Sequence, residues 1–351
     1  MWAKFKAAFP AFFALTILTC GMRSSPEAKE SSLQNPGQDL NLLSSADKVG
    51  LAEALRLKAE LGDIVWPGLA SSSIPILLYN DSYEFLVGEE NAQSPWQVVE
   101  GDDFLGKPYY RRTATNPQSF AVFTGLSWAG SLSTLEQMNQ KVPFKLAADF
   151  HVVLILHEVF HAYQASKAPG RFAKANSVYD SESRYPFKDK ESTAAWSNEG
   201  AALAEALKAK DDGEARSVIQ KFLRIRDDRR QRAALDPELL AFEKELEWLE
   251  GLAKHVEIRF YELAASRSQE PAFSSYKPGL LYWRWDFARL ERLLGHESGD
   301  LRFYLSGMAQ ARLLDRLLPG WQKKAMEEMV HLEDLLRAVP GPKSNQILLG
   351  H

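Results

Sequence analysis

The residues with the clearest chemical potential are His157, Glu158 and His161, which form the spacing H-E-x-x-H. In an α-helix, positions four residues apart lie one above the other, so both imidazoles would lie on one face. Two imidazoles held in this way can bind one metal ion such as zinc. Glu158 would then lie beside the ion and could take a proton from a metal-bound water. The spacing therefore predicts a zinc-dependent hydrolase.

Apolar residues surround this motif and indicate a buried helix. Five apolar residues at 152–156 precede it, and Val159 and Phe160 lie inside it. A solvated helix that carried two histidines by chance would not have this flank. Because burying a glutamate and two histidines is costly unless they are paired or bind a metal, the flank favours a metal site over a chance match.

Two glutamates are candidates for a third ligand, which a catalytic zinc site needs while it leaves one position for water. Glu199 lies in the segment W-S-N-E-G-A-A, and Glu250 lies in the segment W-L-E-G-L-A-K-H-V-E. In both segments Gly and Ala follow the glutamate, and such small residues would let the ligand helix approach the metal helix closely. The spacing alone leaves both candidates open.

These motifs resemble those of the gluzincins, a group of zinc metallopeptidases also called peptidase MA-like. Members combine H-E-x-x-H with a later helix that carries E-G-x-A-x-Y-x-E. The Glu250 segment has His255 where Tyr is usual, and it matches the second motif at Glu250, Gly251, Ala253 and Glu257. The Glu199 segment matches only the start of that motif. The resemblance implies a zincin-like fold and a peptidase activity.

The resemblance gives an argument for each of the two glutamates as the third ligand. The ligand helix commonly follows the metal helix directly, which favours Glu199, but some families insert a helical hairpin, and residues 191–232 could form one. The run from Glu199 through Arg226 and Arg229 to the E-G-L-A segment resembles uncharacterised bacterial secreted proteins in which that segment looks like the ligand motif. We therefore favour Glu250. The other glutamate is expected to pair with Arg226 or Arg229, because a buried carboxylate needs a partner.

The same resemblance implies a Tyr or His that hydrogen-bonds the oxyanion of the reaction. The Y-x-x-G spacing makes Tyr276 the first candidate and Tyr282 the second, although packing beside Trp283 also explains Tyr282. The resemblance further implies that an extended peptide lies along a sheet edge, for which residues 120–130 are the candidate. An ordinary sheet edge is the alternative.

The apolar pattern predicts an α+β fold that is predominantly α. A helix at 46–61 and short strands at 74–79, 96–99, 109–112 and 120–124 would form a helix-plus-sheet lobe, residues 46–145. A helical lobe with the metal site, residues 146–340, would follow, and then a tail at 341–351. Its metal helix is predicted at 146–167, followed by a loop of roughly 20 residues. Further helices are predicted near 191–209, 213–232, 238–266, 279–294, 299–317 and 320–338.

The N-terminus is typical of an export signal. An apolar run at 9–18 follows two lysines and is too short to span a membrane. Cys20, the only cysteine, comes directly after it. This order predicts a signal peptide at 1–20 with a lipid on Cys20, as in bacterial lipoproteins; a cleaved signal without a lipid is the alternative. Residues 21–45, rich in Ser, Pro, Gln, Asn and Gly, predict a disordered tether in a protein of the bacterial cell envelope, anchored to the membrane through Cys20.

Composition excludes some classes of function. The sequence is 45% hydrophobic and 25% charged, which is typical of a globular protein. Its 42 basic and 46 acidic residues give a net charge of −4, so no basic surface indicates nucleic acid binding. One cysteine cannot form a disulfide within the chain, so stability must come from the core.

Together these features predict a metallohydrolase with one Zn²⁺ ion that cleaves peptide bonds, with Glu158 as general base. The alternative is a surface-anchored lipoprotein that binds a host or envelope partner and has a structural or vestigial metal site. An enzyme of the same fold that acts on a non-peptide amide is a third possibility. A structural site would be closed by a fourth protein ligand. The remaining histidines have no ligand spacing, which favours an open site: His151, His255, His296, His331 and His351.

Overall fold

The computed structural model describes residues 41–143, 145–267, 276 and 279–339. The predicted signal peptide with Cys20, most of the predicted tether and the predicted tail lie outside the described residues. The described chain forms two compact units: residues up to Glu60 with Ser71–Ala162, and Leu61–Ala70 with residues from Tyr163 onward. The boundary falls inside the H-E-x-x-H helix, whereas the predicted lobes were divided at residue 145.

The first unit begins before the predicted helix. Leu43 is buried, and its backbone N–H donates to the Tyr109 hydroxyl at 3.2 Å. Arg111 donates to the carbonyl of Asn41 at 2.7 Å. Residues 41–44, which the sequence assigned to the tether, are therefore held against the sheet. Helix α1 follows and spans Ser45–Val65.

The first unit contains a mixed sheet with the strand order β3-β4-β2-β1-β6-β5. Strands β1 and β6 are parallel and the other pairs are antiparallel. The sheet confirms the predicted α+β class, and β5 forms one edge as expected. Residues 128–130 are not on that edge, because they belong to the neighbouring strand β6. The strands are β1 (Ile76–Tyr79), β2 (Tyr83–Val87), β3 (Gln97–Val98), β4 (Tyr110–Thr113), β5 (Phe120–Phe123) and β6 (Trp128–Ser133).

Helix α2 (Leu135–Lys141) leads from the sheet towards the H-E-x-x-H helix, α3 (Ala148–Lys167). The prediction of a long loop after α3 is wrong. Pro169 begins helix α4 (Pro169–Ser177), because proline is well suited to the first turn of a helix, where no N–H is needed. A 3₁₀ turn, Val178–Arg184, continues directly from α4.

The second unit is helical, as predicted. Asp189, Asp211 and Asp236 cap three of its helices at their N-termini, where each carboxylate accepts a backbone N–H of the first turn. The predicted helices at 238–266 and 320–338 are each interrupted. After α4 and the 3₁₀ turn, the elements are α5 (Lys190–Lys208), α6 (Asp212–Arg232), α7 (Pro237–Leu246), a π-helical segment (Glu247–Gly251), α8 (Leu252–Ala265), α9 (Gly279–Leu293), a 3₁₀ turn (Leu294–His296), α10 (Leu301–Leu317), α11 (Trp321–Ala325) and α12 (Leu332–Arg337).

No helix within the described ranges is both long enough and apolar enough to cross a membrane.

Gly130 fixes the position of α3 on the sheet. A Cβ atom at Gly130 would lie 2.5 Å from the backbone nitrogen of Val159 and 2.7 Å from the carbonyl carbon of Glu158. These are backbone atoms that cannot move aside as a flexible side chain can. Strand β6 therefore contacts α3 directly at the glutamate of the H-E-x-x-H motif, and only glycine permits this approach.

We expect Gly130→Ala to destabilise the protein by about 1–3 kcal/mol or more, because the added methyl group overpacks a backbone contact. Gly50→Ala in helix α1 is the matched control, since its Cβ would meet Val152 at an ordinary distance of 3.9 Å. That change should be stabilising by about 0.5–1 kcal/mol. Urea unfolding of both variants measures the difference, and equal midpoints would contradict the packing described for Gly130.

Candidate metal centre

Helix α3 buries the three polar residues of its motif. His157, Glu158 and His161 are 2%, 3% and 0% exposed, and all five apolar residues at 152–156 are buried as well. The burial expected from the apolar flank is therefore confirmed. Polar groups in such surroundings lower the free energy of the fold only when they have partners.

The rings of His157 and His161 face each other through their Nε2 atoms. The Nε2 atoms of His157 and His161 lie 3.2 Å apart, and the ring planes are inclined by 74°. Two ligands at the usual zinc–nitrogen distance with a tetrahedral angle between them would be about 3.3 Å apart. The observed pair thus has the spacing that a shared zinc ion requires.

Glu250 completes a group of three possible ligands. One ligand atom from each of His157, His161 and Glu250 lies within 4.8 Å of the others, and all three residues are buried. Within the part of the chain that the structure describes, this is the one such group of His, Cys, Asp or Glu residues. Two imidazoles and one carboxylate are the donor set of several catalytic zinc sites. The residues present therefore fit a zinc ion.

Glu250 lies in a π-helical segment, Glu247–Gly251, which the sequence analysis predicted as ordinary helix. Single π turns inside α-helices occur frequently at functional sites. Two glycines bring this segment against α10: a Cβ at Gly251 would lie 2.5 Å from the Cα of Gly307, and one at Gly307 would lie 2.4 Å from the Glu247 carbonyl oxygen. The side chain of Gln164 also donates to the Trp248 carbonyl at 2.9 Å. These contacts hold the backbone around Glu250.

Glu199, the rival third ligand, has different partners. Arg226 donates to one of its carboxylate oxygens at 2.9 Å, and Arg229 donates to the other. All three side chains are buried. This is the pairing that we expected for the glutamate outside the metal site, and it leaves Glu250 as the structure's candidate.

The Glu199 pair belongs to a buried network of charges. Glu243 and Glu247 are 0% and 1% exposed and accept hydrogen bonds from arginines. Burial alone would raise the pKa of Glu243, but Arg229 and Arg230 outweigh it and hold that pKa well below the usual range. The network consists of Glu199, Arg226, Arg229, Arg230, Glu243, Glu247 and Glu333.

Three residues near Glu250 escaped the sequence analysis. The Tyr179 hydroxyl lies 3.2 Å from Glu250 Oε1 and 3.2 Å from Asp300 Oδ2. Burial raises the pKa of Tyr304, and the nearby carboxylates of Glu250 and Asp300 raise it further. No local pattern links these residues to Glu250, because Tyr179 is 71 positions away in the sequence.

The predicted oxyanion donors lie elsewhere among the described contacts. Tyr276 is fully buried, and its ring centroid lies 6.2 Å from that of Tyr261. Tyr282 is part of α9 and is half-buried. Tyr163 of α3 donates to the Pro67 carbonyl at 2.9 Å. The role of Tyr276 towards an oxyanion stays a prediction.

The structure also gives contacts for the edge strand β5 and for three of the other histidines. Phe120 of β5 packs on a histidine of the motif, with its ring centroid 4.7 Å from that of His161. His151 bonds the Ser133 carbonyl through Nε2 at 2.8 Å, and burial lowers its pKa. His255 and His331 face carboxylates. His351 lies outside the described residues.

The two glutamates can be separated by their effects on zinc binding. We expect one zinc ion per chain, lost in Glu250→Ala and kept in Glu199→Ala. The second change removes one carboxylate of a buried network in which Arg226 keeps Glu247 and Arg229 keeps Glu243, so it should instead reduce stability by about 1–3 kcal/mol. Metal analysis and urea unfolding give both values. If Glu199→Ala folds but binds no zinc while Glu250→Ala keeps its zinc, then Glu199 and not Glu250 is the third ligand.

The charged network predicts a loss of stability in acid. The folded-state pKa of Glu243 lies below its ordinary value of 4.5, and so does that of Glu333. The unfolded chain then binds more protons, so the stabilisation is complete above that value and falls as the pH drops below it. Each carboxyl should contribute a slope of up to about 1.4 kcal/mol per pH unit. Urea midpoints measured from pH 6 to pH 3 test this, and Glu243→Gln should flatten the curve. A flat curve in the unmodified protein would contradict it.

The chain was compared with models of protein families, with curated proteins and with solved structures, and none of these comparisons gave a match. The metal centre is therefore inferred from residues of this chain alone: the imidazole pair, the nearby carboxylate and their burial.

Proposed function

We propose that this protein is a zinc-dependent hydrolase of the gluzincin type that cleaves peptide bonds. The observation that carries the proposal is the pair of buried Nε2 atoms of His157 and His161, 3.2 Å apart, with a Glu250 ligand atom within 4.8 Å. Two imidazoles and a carboxylate leave a coordination position for water, as a catalytic zinc site does and a closed structural site does not. The similarity of the Glu250 segment to E-G-x-A-x-Y-x-E supports the gluzincin type.

A zinc ion bound by these residues would supply Lewis-acid activation of the scissile carbonyl and of water. The proton transfers belong to the protein. Glu158 lies between the two histidines in the sequence and is buried, so its carboxylate can accept the proton of the attacking water and pass it to the leaving amine. Exclusion of bulk water by the apolar flank strengthens the electrostatic interactions at this carboxylate. Tyr276 remains our proposed donor to the oxyanion.

The sheet edge supports a peptide as the substrate rather than another amide. Among the described strands, β5 pairs with β6 alone, so the backbone on its other side can accept an extended chain as an added strand. Phe120, at the start of β5, packs on His161. A peptide paired along β5 would therefore pass close to the proposed ligand. We further propose that the protein is exported and that a lipid on Cys20 anchors it to the bacterial cell envelope, on the strength of its signal-like N-terminus.

Glu158→Gln should keep zinc and lose hydrolysis. The amide is similar in size to the carboxylate but cannot accept the proton of water, so we expect the rate of peptide cleavage to fall by about 10²–10⁴-fold. A fluorogenic peptide library measures cleavage, and metal analysis measures zinc. Glu60→Gln on an exposed part of α1 is the matched control and should be fully active. Full activity of the zinc-loaded Glu158→Gln protein would contradict the mechanism.

A further inference from the structure

The surroundings of Glu250 contain a hydrogen-bond arrangement that ordinary packing does not require. The Tyr179 hydroxyl lies between two carboxylates, at 3.2 Å from Glu250 Oε1 and 3.2 Å from Asp300 Oδ2. Tyr179 belongs to the 3₁₀ turn after α4, and Asp300 directly precedes α10. Residues from separate elements thus converge on the carboxylate that we propose as the third zinc ligand.

Asp300 reaches this contact from the start of α10. It is the residue directly before the helix, its backbone is already in the helical region at φ −74° and ψ −13°, and its side chain does not cap the first turn. Its carboxylate lies at the Tyr179 hydroxyl. Two carboxylates are thus within hydrogen-bond distance of one phenol.

We infer that Tyr179 is a positioning residue that holds the Glu250 carboxylate for the metal, and that Asp300 competes with Glu250 for the Tyr179 proton. The inference rests on the proposed zinc site. A glutamate has three rotatable side-chain bonds, so an unsupported carboxylate loses conformational entropy when it binds a metal. The bond to Oε1 restricts those rotations beforehand, while the carboxylate can still offer its other oxygen as ligand. Partners of this kind around metal ligands typically change metal affinity by about 10–100-fold.

The phenol proton limits what the two carboxylates can do. A tyrosine hydroxyl has one proton and can donate to one acceptor at a time, so Glu250 and Asp300 compete for it. Phe242 packs edge-on to the Tyr179 ring, with centroids 6.5 Å apart, and helps to fix its position. Asp300 should therefore weaken the bond from Tyr179 to Glu250.

Zinc affinity of the full-length protein, measured by competition with a chromophoric chelator, tests the inference. Tyr179→Phe should bind zinc about 10–100-fold more weakly than the unmodified protein, while the urea midpoint of the metal-free protein should fall no further than that of Tyr110→Phe, which also loses one hydrogen bond. Tyr110→Phe is the matched control, because its hydroxyl donates to the Glu90 carbonyl at 2.7 Å, and it should leave zinc affinity unchanged. An affinity of Tyr179→Phe within twofold of the unmodified protein would overturn the inference.

The contribution of Asp300 is tested by a double-mutant cycle. Asp300→Asn replaces the competing carboxylate by a weaker acceptor, so it should tighten zinc binding by itself and have no such effect in the Tyr179→Phe background. No gain by itself, or an equal gain in that background, would overturn the competition. Failure of the proposed function is distinguishable: an unmodified protein that binds no zinc contradicts both proposals, whereas tight binding that Tyr179→Phe leaves unchanged contradicts this inference alone.

Discussion

The burial of three ionisable side chains on one apolar helix is the constraint on which the rest of the site depends. His157, Glu158 and His161 are almost completely removed from solvent. Desolvation of this kind is unfavourable unless the groups are paired or bind a metal. The facing Nε2 atoms and the nearby Glu250 carboxylate supply partners that a metal ion would join into one centre. The apolar flank that makes the burial of these three side chains unfavourable would also keep bulk water away from a bound metal ion.

Close backbone contacts hold the elements that carry the candidate ligands, each within its own unit. Gly130 brings strand β6 against α3 at Glu158, and the Gly251–Gly307 contact brings α10 against the π-helical segment of Glu250. Each contact fixes backbone rather than side chain, so a local substitution at these glycines must displace the element itself.

The sequence predicted the features that have a local signature. The H-E-x-x-H spacing and its apolar flank indicated a buried helix, and the apolar pattern placed most of the helices. Strand β6 was missed because its buried serines do not alternate with large apolar residues. Glu199 and Glu250 share the same local context, so their separation depends on Arg226 and Arg229, which lie far away in the sequence. The π turn and the tyrosines near Glu250 arise from tertiary packing and have no local pattern.

The most direct test of the metal centre is anomalous diffraction at the zinc absorption edge from crystals of the zinc-loaded protein. The account predicts one strong peak within bonding distance of the Nε2 atoms of His157 and His161 and of a Glu250 carboxylate oxygen, with no fourth protein ligand. A peak at another place, a site closed by a fourth side chain, or no peak beside the two histidines would contradict the account. A closed site would favour a structural metal in a binding protein.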